Sequence, residues 1–146
     1  MDDFNKPKII YPCIMSKSPS FMLDDNAKYY TVAPGNIITG KDLEYLIACL
    51  NSKIFYFASR KYYTGGGIEG ELKTNRLLIL PIPMPSSIKE THLEQLKKYC
   101  LEINGLICNP NYETSYRELL RKIDNILLEI LNLTAKEYDY ILNFEF

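Results

Sequence analysis

The hydrophobic period of this chain changes once, after Gly40, and no other feature constrains the fold as strongly. Before that point apolar residues come in short β-branched and aromatic runs separated by turn residues; after it they recur mainly at three- and four-residue steps. Residues 8–14 (Lys-Ile-Ile-Tyr-Pro-Cys-Ile) predict a first strand, in which Pro12 suits a strand end or a sheet edge better than a central strand. Residues 20–24 predict a second strand, Asp25-Asn26-Ala27 a turn, residues 28–32 a third strand, Pro34-Gly35 another turn and residues 36–39 a fourth. The expected result is a small, mostly antiparallel sheet, a meander or a barrel-like arrangement.

Beyond Gly40, the positions of Leu43, Leu46, Ile47, Leu50, Ile54 and Phe57 predict one amphipathic helix over 41–59, with Thr39 and Asp42 spaced like a capping box. It ends in Arg60-Lys61-Tyr62-Tyr63-Thr64-Gly65-Gly66-Gly67, expected to be a mobile loop because three glycines hold neither helix nor strand cheaply. A strand over 72–80 follows, closed by the extended spacer Pro81-Ile82-Pro83-Met84-Pro85. The remainder is helical. Ser87-Ile88-Lys89-Glu90 resembles a capping box, and Leu93, Leu96, Cys100, Ile103 and Ile107 make the stripe of a helix stopped by Asn109-Pro110-Asn111. Tyr116, Leu119, Leu120, Ile123, Ile126, Leu127, Ile130 and Leu131 mark a second helix, and Thr134-Ala135-Lys136-Glu137 caps a short third one ending near Leu142. The class is α+β: a small sheet domain with one packed helix over 1–85, then a helical hairpin and a short third helix over 86–146.

Composition limits the function classes. Of 146 residues 47% are hydrophobic and 24% charged, an ordinary globular balance. Seventeen basic and eighteen acidic side chains leave a formal charge of -1, so any field attracting nucleic acid has to be local. That balance divides into ten basic and eight acidic residues up to Pro83, or +2, and seven and ten thereafter, or -3. Thirteen lysines against four arginines match the usage of an AT-rich genome, which weakens the functional meaning of any one lysine. No apolar run reaches the ~20 residues of a membrane span, and the acidic start, Met1-Asp2-Asp3, is unlike a signal peptide. The expected location is the cytoplasm. Cys13, Cys49, Cys100 and Cys108 lack any Cys-x-x-Cys spacing, and His92 is the single histidine, so neither disulfides nor a metal site is expected.

Three motifs invite chemistry. Asn109-Pro110-Asn111-Tyr112 is similar to the Asn-Pro-Pro-Tyr loop of amino-methyltransferases, but the second proline and a cofactor-holding glycine turn are missing, and a helix-hairpin turn accounts for it. Glu69-Gly70-Glu71-Leu72-Lys73 holds the Glu-x-Lys step of a magnesium nuclease, for which Asp24 or Asp25 would have to supply the second acid; solvent-facing charge is the simpler reading. His92 falls on the polar side of its helix, where solvation is expected. The strongest concentration is the segment 53–76, where Lys53, Arg60, Lys61, Lys73 and Arg76 against Glu69 and Glu71 give +3, interleaved with Tyr62, Tyr63, Thr64 and Asn75. Cations neutralise phosphate, guanidinium and amide groups read base edges, and glycines permit close approach to a groove; a solvated surface loop is the alternative.

The order Lys6-Pro7-Lys8-Ile9-Ile10-Tyr11-Pro12, Phe21-Met22-Leu23-Asp24, Tyr29-Tyr30-Thr31, Ile37-Ile38-Thr39-Gly40, Leu50-Asn51-Ser52-Lys53-Ile54-Phe55-Tyr56 and Leu80-Pro81-Ile82-Pro83 resembles the TaqI-like C-terminal specificity domain. That family supplies target recognition to adenine-specific DNA methyltransferases and type IIG restriction-modification enzymes. The closing residues 123–137 are similar to the tail of such enzymes, with Leu131-Asn132-Leu133 where Tyr-Gly-Leu is more usual. The resemblance implies a non-catalytic DNA recognition module that presents duplex DNA for adenine methylation or cleavage. S-adenosylmethionine and magnesium would belong to other domains of the parent enzyme. The implied partners are double-stranded DNA and the methyltransferase or nuclease domain, with self-association through the C-terminal helices. The expected contacts are Lys53, Arg60, Lys61, Tyr62, Tyr63, Thr64, Gly65, Gly66, Gly67, Lys73, Asn75 and Arg76, joined by Lys17, Ser18 and Ser20 from the other polar loop. The rival from another class is a protein-protein adaptor acting through the acidic helical half; a weaker rival is a nuclease using Glu69, Glu71 and Lys73.

Overall fold

A computed structural model describes residues 2–15, 17–28, 35–63, 71–106 and 110–145. The fold is α+β. Three antiparallel strands, β1 (Lys8–Pro12), β2 (Met22–Asp24) and β3 (Gly35–Ile38), form a sheet of order β2-β1-β3. Ile9 pairs with Leu23 on one side and Ile38 on the other. β1 is therefore central, and Pro12 is accommodated at its last position, opposite Gly35, where a missing N–H costs least. These strands make an open sheet rather than a barrel. The strand expected over 28–32 lies, apart from Lys28, outside the described residues.

The single helix expected over 41–59 is two: α1 (Leu43–Leu50) and α2 (Lys53–Ala58), the latter continuing as a π-helical turn over Ser59–Tyr63. The start is not a capping box. Gly40 takes φ 140° and Asp42 a left-handed φ of 54°, and the Asp42 side chain makes no cap hydrogen bond. Nor is α1 amphipathic in the usual sense, because Leu43, Tyr45, Ile47, Ala48, Cys49 and Leu50 are all buried. The helix packs on β1 and β2 and also on helices α4 (Glu90–Gly105) and α5 (Tyr112–Leu131), so it is covered on more than one face.

Residues 72–80 depart most from expectation. Leu72 donates its N–H to the Cys13 carbonyl at 2.7 Å and Glu71 pairs with Ile14, but the ladder stops there and a short helix, α3 (Thr74–Leu77), takes over. Leu72 and Leu80 are buried while Leu78 and Ile79 are exposed, a pattern without the alternation a half-buried strand needs. The capping box expected at Ser87 is also absent: its hydroxyl donates backwards to the Met84 carbonyl at 2.7 Å, and Lys89 caps α4 without a side-chain bond. At the far end the expectation holds. Thr134 and Glu137 form a reciprocal capping box for α6 (Ala135–Leu142), and Asn132 ends α5 in the left-handed conformation, φ 54°.

One hydrophobic cluster joins residues on both sides of position 85, among them Ile9, Tyr45, Leu96, Ile123 and Leu127. Polar groups inside it are paired. The Lys8 ammonium, fully buried, donates to Asp24 at 2.6 Å and to the Phe4 carbonyl at 2.9 Å, tying β1 to β2. Asn51 accepts from the Phe21 N–H at 3.0 Å and donates to the Phe21 carbonyl at 2.9 Å. Ser52 caps α2, accepting from Phe55 N–H at 3.2 Å. Asp124 of α5, 1% exposed, accepts from the Lys53 N–H at 3.1 Å and from the Tyr138 hydroxyl at 2.7 Å, linking α2, α5 and α6. Burial pushes the Asp124 carboxyl up to about 6, more than these hydrogen bonds pull it down.

This raised value sets a pH dependence. The native carboxyl holds its proton up to about pH 6, whereas the unfolded one releases it near 3.8. Its contribution is therefore greatest below pH 4 and falls through pH 6, by about 3 kcal/mol in all. Asp124→Asn, which keeps an acceptor for Lys53, should raise the melting temperature at pH 7 and flatten the dependence between pH 4 and 6. Asp124→Ala strands two donors and should cost about 2–4 kcal/mol. Thermal denaturation of the three proteins across that range measures both effects.

Candidate nucleic-acid interface

The residues expected to contact DNA fall into separate groups. Lys53 begins α2 and Arg60 lies two turns on, about 10 Å along the axis. Lys53 is exposed, but its main chain is engaged by Asp124, so the segment Asn51-Ser52-Lys53 acts locally as a structural junction. Thr64, Gly65, Gly66 and Gly67, like Glu69, lie outside the described residues.

Arg60 and Lys61 point to different parts of the molecule. The Arg60 guanidinium donates to the Met15 carbonyl at 3.4 Å and sits 5.9 Å from the Tyr56 ring centre. Tyr56 donates its hydroxyl to the same carbonyl at 2.8 Å. Lys61 instead faces α6. Its ammonium donates to the Tyr140 hydroxyl at 3.0 Å and lies 4.5 Å from the Phe144 ring centre, 5.2 Å from Tyr140 and 5.3 Å from Phe57. Tyr62, also expected at the interface, adds a fourth ring at 5.7 Å. The bond to Tyr140, with smaller electrostatic help from Tyr140 and Tyr62, outweighs the opposing desolvation and raises the Lys61 pKa. Lys61 and Tyr62 thus belong to an aromatic surround joining the end of α2 to the C-terminal helix. Tyr63 packs against the core.

A third group is open to solvent. Lys73, Asn75 and Arg76 are exposed on and just before α3, which contacts the turn holding Arg60. The Ile14–Glu71 pair and the Leu72–Cys13 hydrogen bond bring this segment beside residues 13–15, two residues before exposed Lys17. Because the bridge is antiparallel, Lys17 leaves it in one direction and Lys73, Asn75 and Arg76 in the other. Ser18 and Ser20 face elsewhere, lining a pocket with α1, α4 and α5.

Other residues weighed from the sequence have structural partners. Asp24 is held by Lys8 and also accepts from the Lys28 N–H at 3.0 Å, and Glu71 sits on the bridge to Ile14. His92 is partly exposed, and its Nε2 lies 3.0 Å from an oxygen of the exposed Glu129 carboxylate, joining α4 to α5. Among the described residues, Cys13, Cys49 and Cys100 are free thiols, and no group of three or more His, Cys, Asp and Glu is placed to hold a metal ion. No described helix is long and apolar enough to cross a membrane. The aromatic surround escaped sequence reading, although Phe57 and Lys61 have the four-residue step that puts side chains on one helical face.

Comparison with protein families, with curated proteins and with solved structures finds no match for this chain. If Lys61 anchors α6, then Lys61→Met, which keeps bulk and removes charge, should accelerate amide hydrogen exchange several-fold in 135–142 while leaving β1 and α1 unchanged. Exchange measured by mass spectrometry on both proteins reads this directly.

Proposed function

We propose that this chain is a sequence-specific DNA recognition module that holds duplex DNA for adenine methylation or cleavage by a separate catalytic domain. In this reading it works in the cytoplasm and performs no catalytic step itself; S-adenosylmethionine and magnesium are bound by the catalytic partner. The observation that carries the proposal is the exposed set Lys73, Asn75 and Arg76 on and just before α3, with exposed Lys17 leaving the other side of the Ile14–Glu71 bridge. Lysines there would neutralise phosphates, and the planar side chains of Arg76 and Asn75 have the donor and acceptor geometry to read base edges. The sequence resemblance to a target recognition domain supports the same assignment. Lys61 is left out of the contact surface because its ammonium is engaged by Tyr140 of α6, and Tyr62 because its ring lies beside that ammonium.

A protein-protein adaptor is the second reading. It is favoured by Leu101 on α4 and by Tyr140 and Leu142 on α6, exposed apolar side chains of the acidic half. Salt dependence separates the two. A DNA module of this charge should bind duplex weakly in isolation, because few counterions are released, and should lose affinity as salt rises because some are. Lys17→Ala and Lys73→Ala should each lower the salt slope by about 1, and Arg76→Ala, if it reads a base, should cost roughly 1–3 kcal/mol and relax preference at one position. Lys61→Met should leave affinity unchanged. Fluorescence anisotropy with labelled duplex over a salt series measures all four; binding that ignores salt and these substitutions would exclude the assignment.

A further inference from the structure

One partly enclosed opening among the described residues lies away from the basic edge. It is a pocket of about 400 Å³ between the segment leading into β2 and helices α1, α4 and α5. This volume falls within the range of small-molecule sites. Its apolar lining comes from Phe21, Met22, Ile47, Ala48, Cys100 and Ile123. Tyr112 and Tyr116, one turn apart on α5, also line it, their rings stacked with centres 5.3 Å apart and planes 15° from parallel. Burial pushes the Tyr116 hydroxyl up to about 12, so it stays a neutral donor.

The polar side chains of the lining are few and differ in their engagement. Asn51 spends its amide on both main-chain groups of Phe21. Asn104 of α4 is half-buried in the lining, and its side-chain amide offers a donor and an acceptor together; Ser18 and Ser20 add hydroxyls. No described lining residue is charged, which disfavours an ionic ligand. Stacked phenol rings suit a flat ring, and a side-chain amide matches an adjacent donor and acceptor on its edge, the pattern adenine presents at N6 and N7.

We infer that this pocket binds an uncharged planar heteroaromatic ring of the purine type, stacked on the Tyr112–Tyr116 pair and read by the Asn104 amide. The site is independent of the duplex-binding proposal and is tested without duplex. The full chain is titrated with adenosine and, in parallel, with indole, which has the flat shape but lacks the paired edge, following backbone amide resonances. Saturable shifts at Ala48, Ile103 and Asn104 are expected with adenosine. Asn104→Leu should weaken adenosine about tenfold while leaving indole within about twofold, and Tyr116→Leu should weaken both. An unchanged amide spectrum away from the pocket verifies that each variant is folded. A single-stranded oligonucleotide containing one adenine distinguishes sources: competition with adenosine means a strand-borne base enters, and no competition means a free nucleoside is the ligand. Absence of adenosine shifts in the pocket, or equal loss of adenosine and indole in Asn104→Leu, would overturn the inference.

Discussion

The Asn51 side chain holds the molecule's two kinds of structure together. Its amide meets both the N–H and the carbonyl of Phe21 and so takes the place of a strand partner at the entry to β2. The next residue, Ser52, ends α1 by donating to the Cys49 carbonyl at 2.6 Å and starts α2 by capping it. Directly after it, the Lys53 N–H is taken by Asp124 from α5. Three consecutive residues thus fasten the sheet, the central helices and the C-terminal helices at one point. A buried main-chain group left without a partner there would cost about 1–3 kcal/mol, so the junction tolerates little adjustment.

The rest of the interior combines non-directional burial with a few directional bonds. Apolar packing makes one cluster from all parts of the chain but does not by itself define register. The Lys8–Asp24 pair does so for β1 and β2, because a one-residue slip would leave a charge buried alone. Two tyrosine hydroxyls do the same for segments lacking regular structure: Tyr45 donates to Pro83 at 2.8 Å and Tyr56 to Met15 at 2.8 Å. The Tyr56 anchor positions residues 13–15 against Arg60 and Leu72.

The candidate interface was legible in part. The clustering of cations between positions 53 and 76 could be counted, but direction could not. Arg60 and Lys61 are neighbours in sequence, and on a helical turn neighbours point about 100° apart, so one reaches Met15 and the other α6. The pairing of Lys61 with Tyr140 spans 79 positions, a distance no local pattern reports. In Leu50-Asn51-Ser52-Lys53 the packing explains why those residue types suit that place: an amide to satisfy a strand end, a hydroxyl to cap, and an exposed lysine to follow.

What the sequence determined by itself is whatever depends on neighbours within a few residues. The long helices α4 and α5 follow from apolar steps of three and four, the α6 cap from Thr134 and Glu137, the α5 end from Asn132, and the early strands from β-branched runs between turn residues. Tertiary structure decided the elements whose local preferences were balanced. Residues 74–77 became helical where too few strand partners were at hand, the expected helix over 41–59 broke where Asn51 was drawn to Phe21, and β1 became central despite Pro12. It also decided which cations remain on the surface and which are spent inside. A side chain's direction and its desolvation depend on residues brought together by packing, and their free energies exceed the few tenths of a kcal/mol by which helix and strand preferences differ.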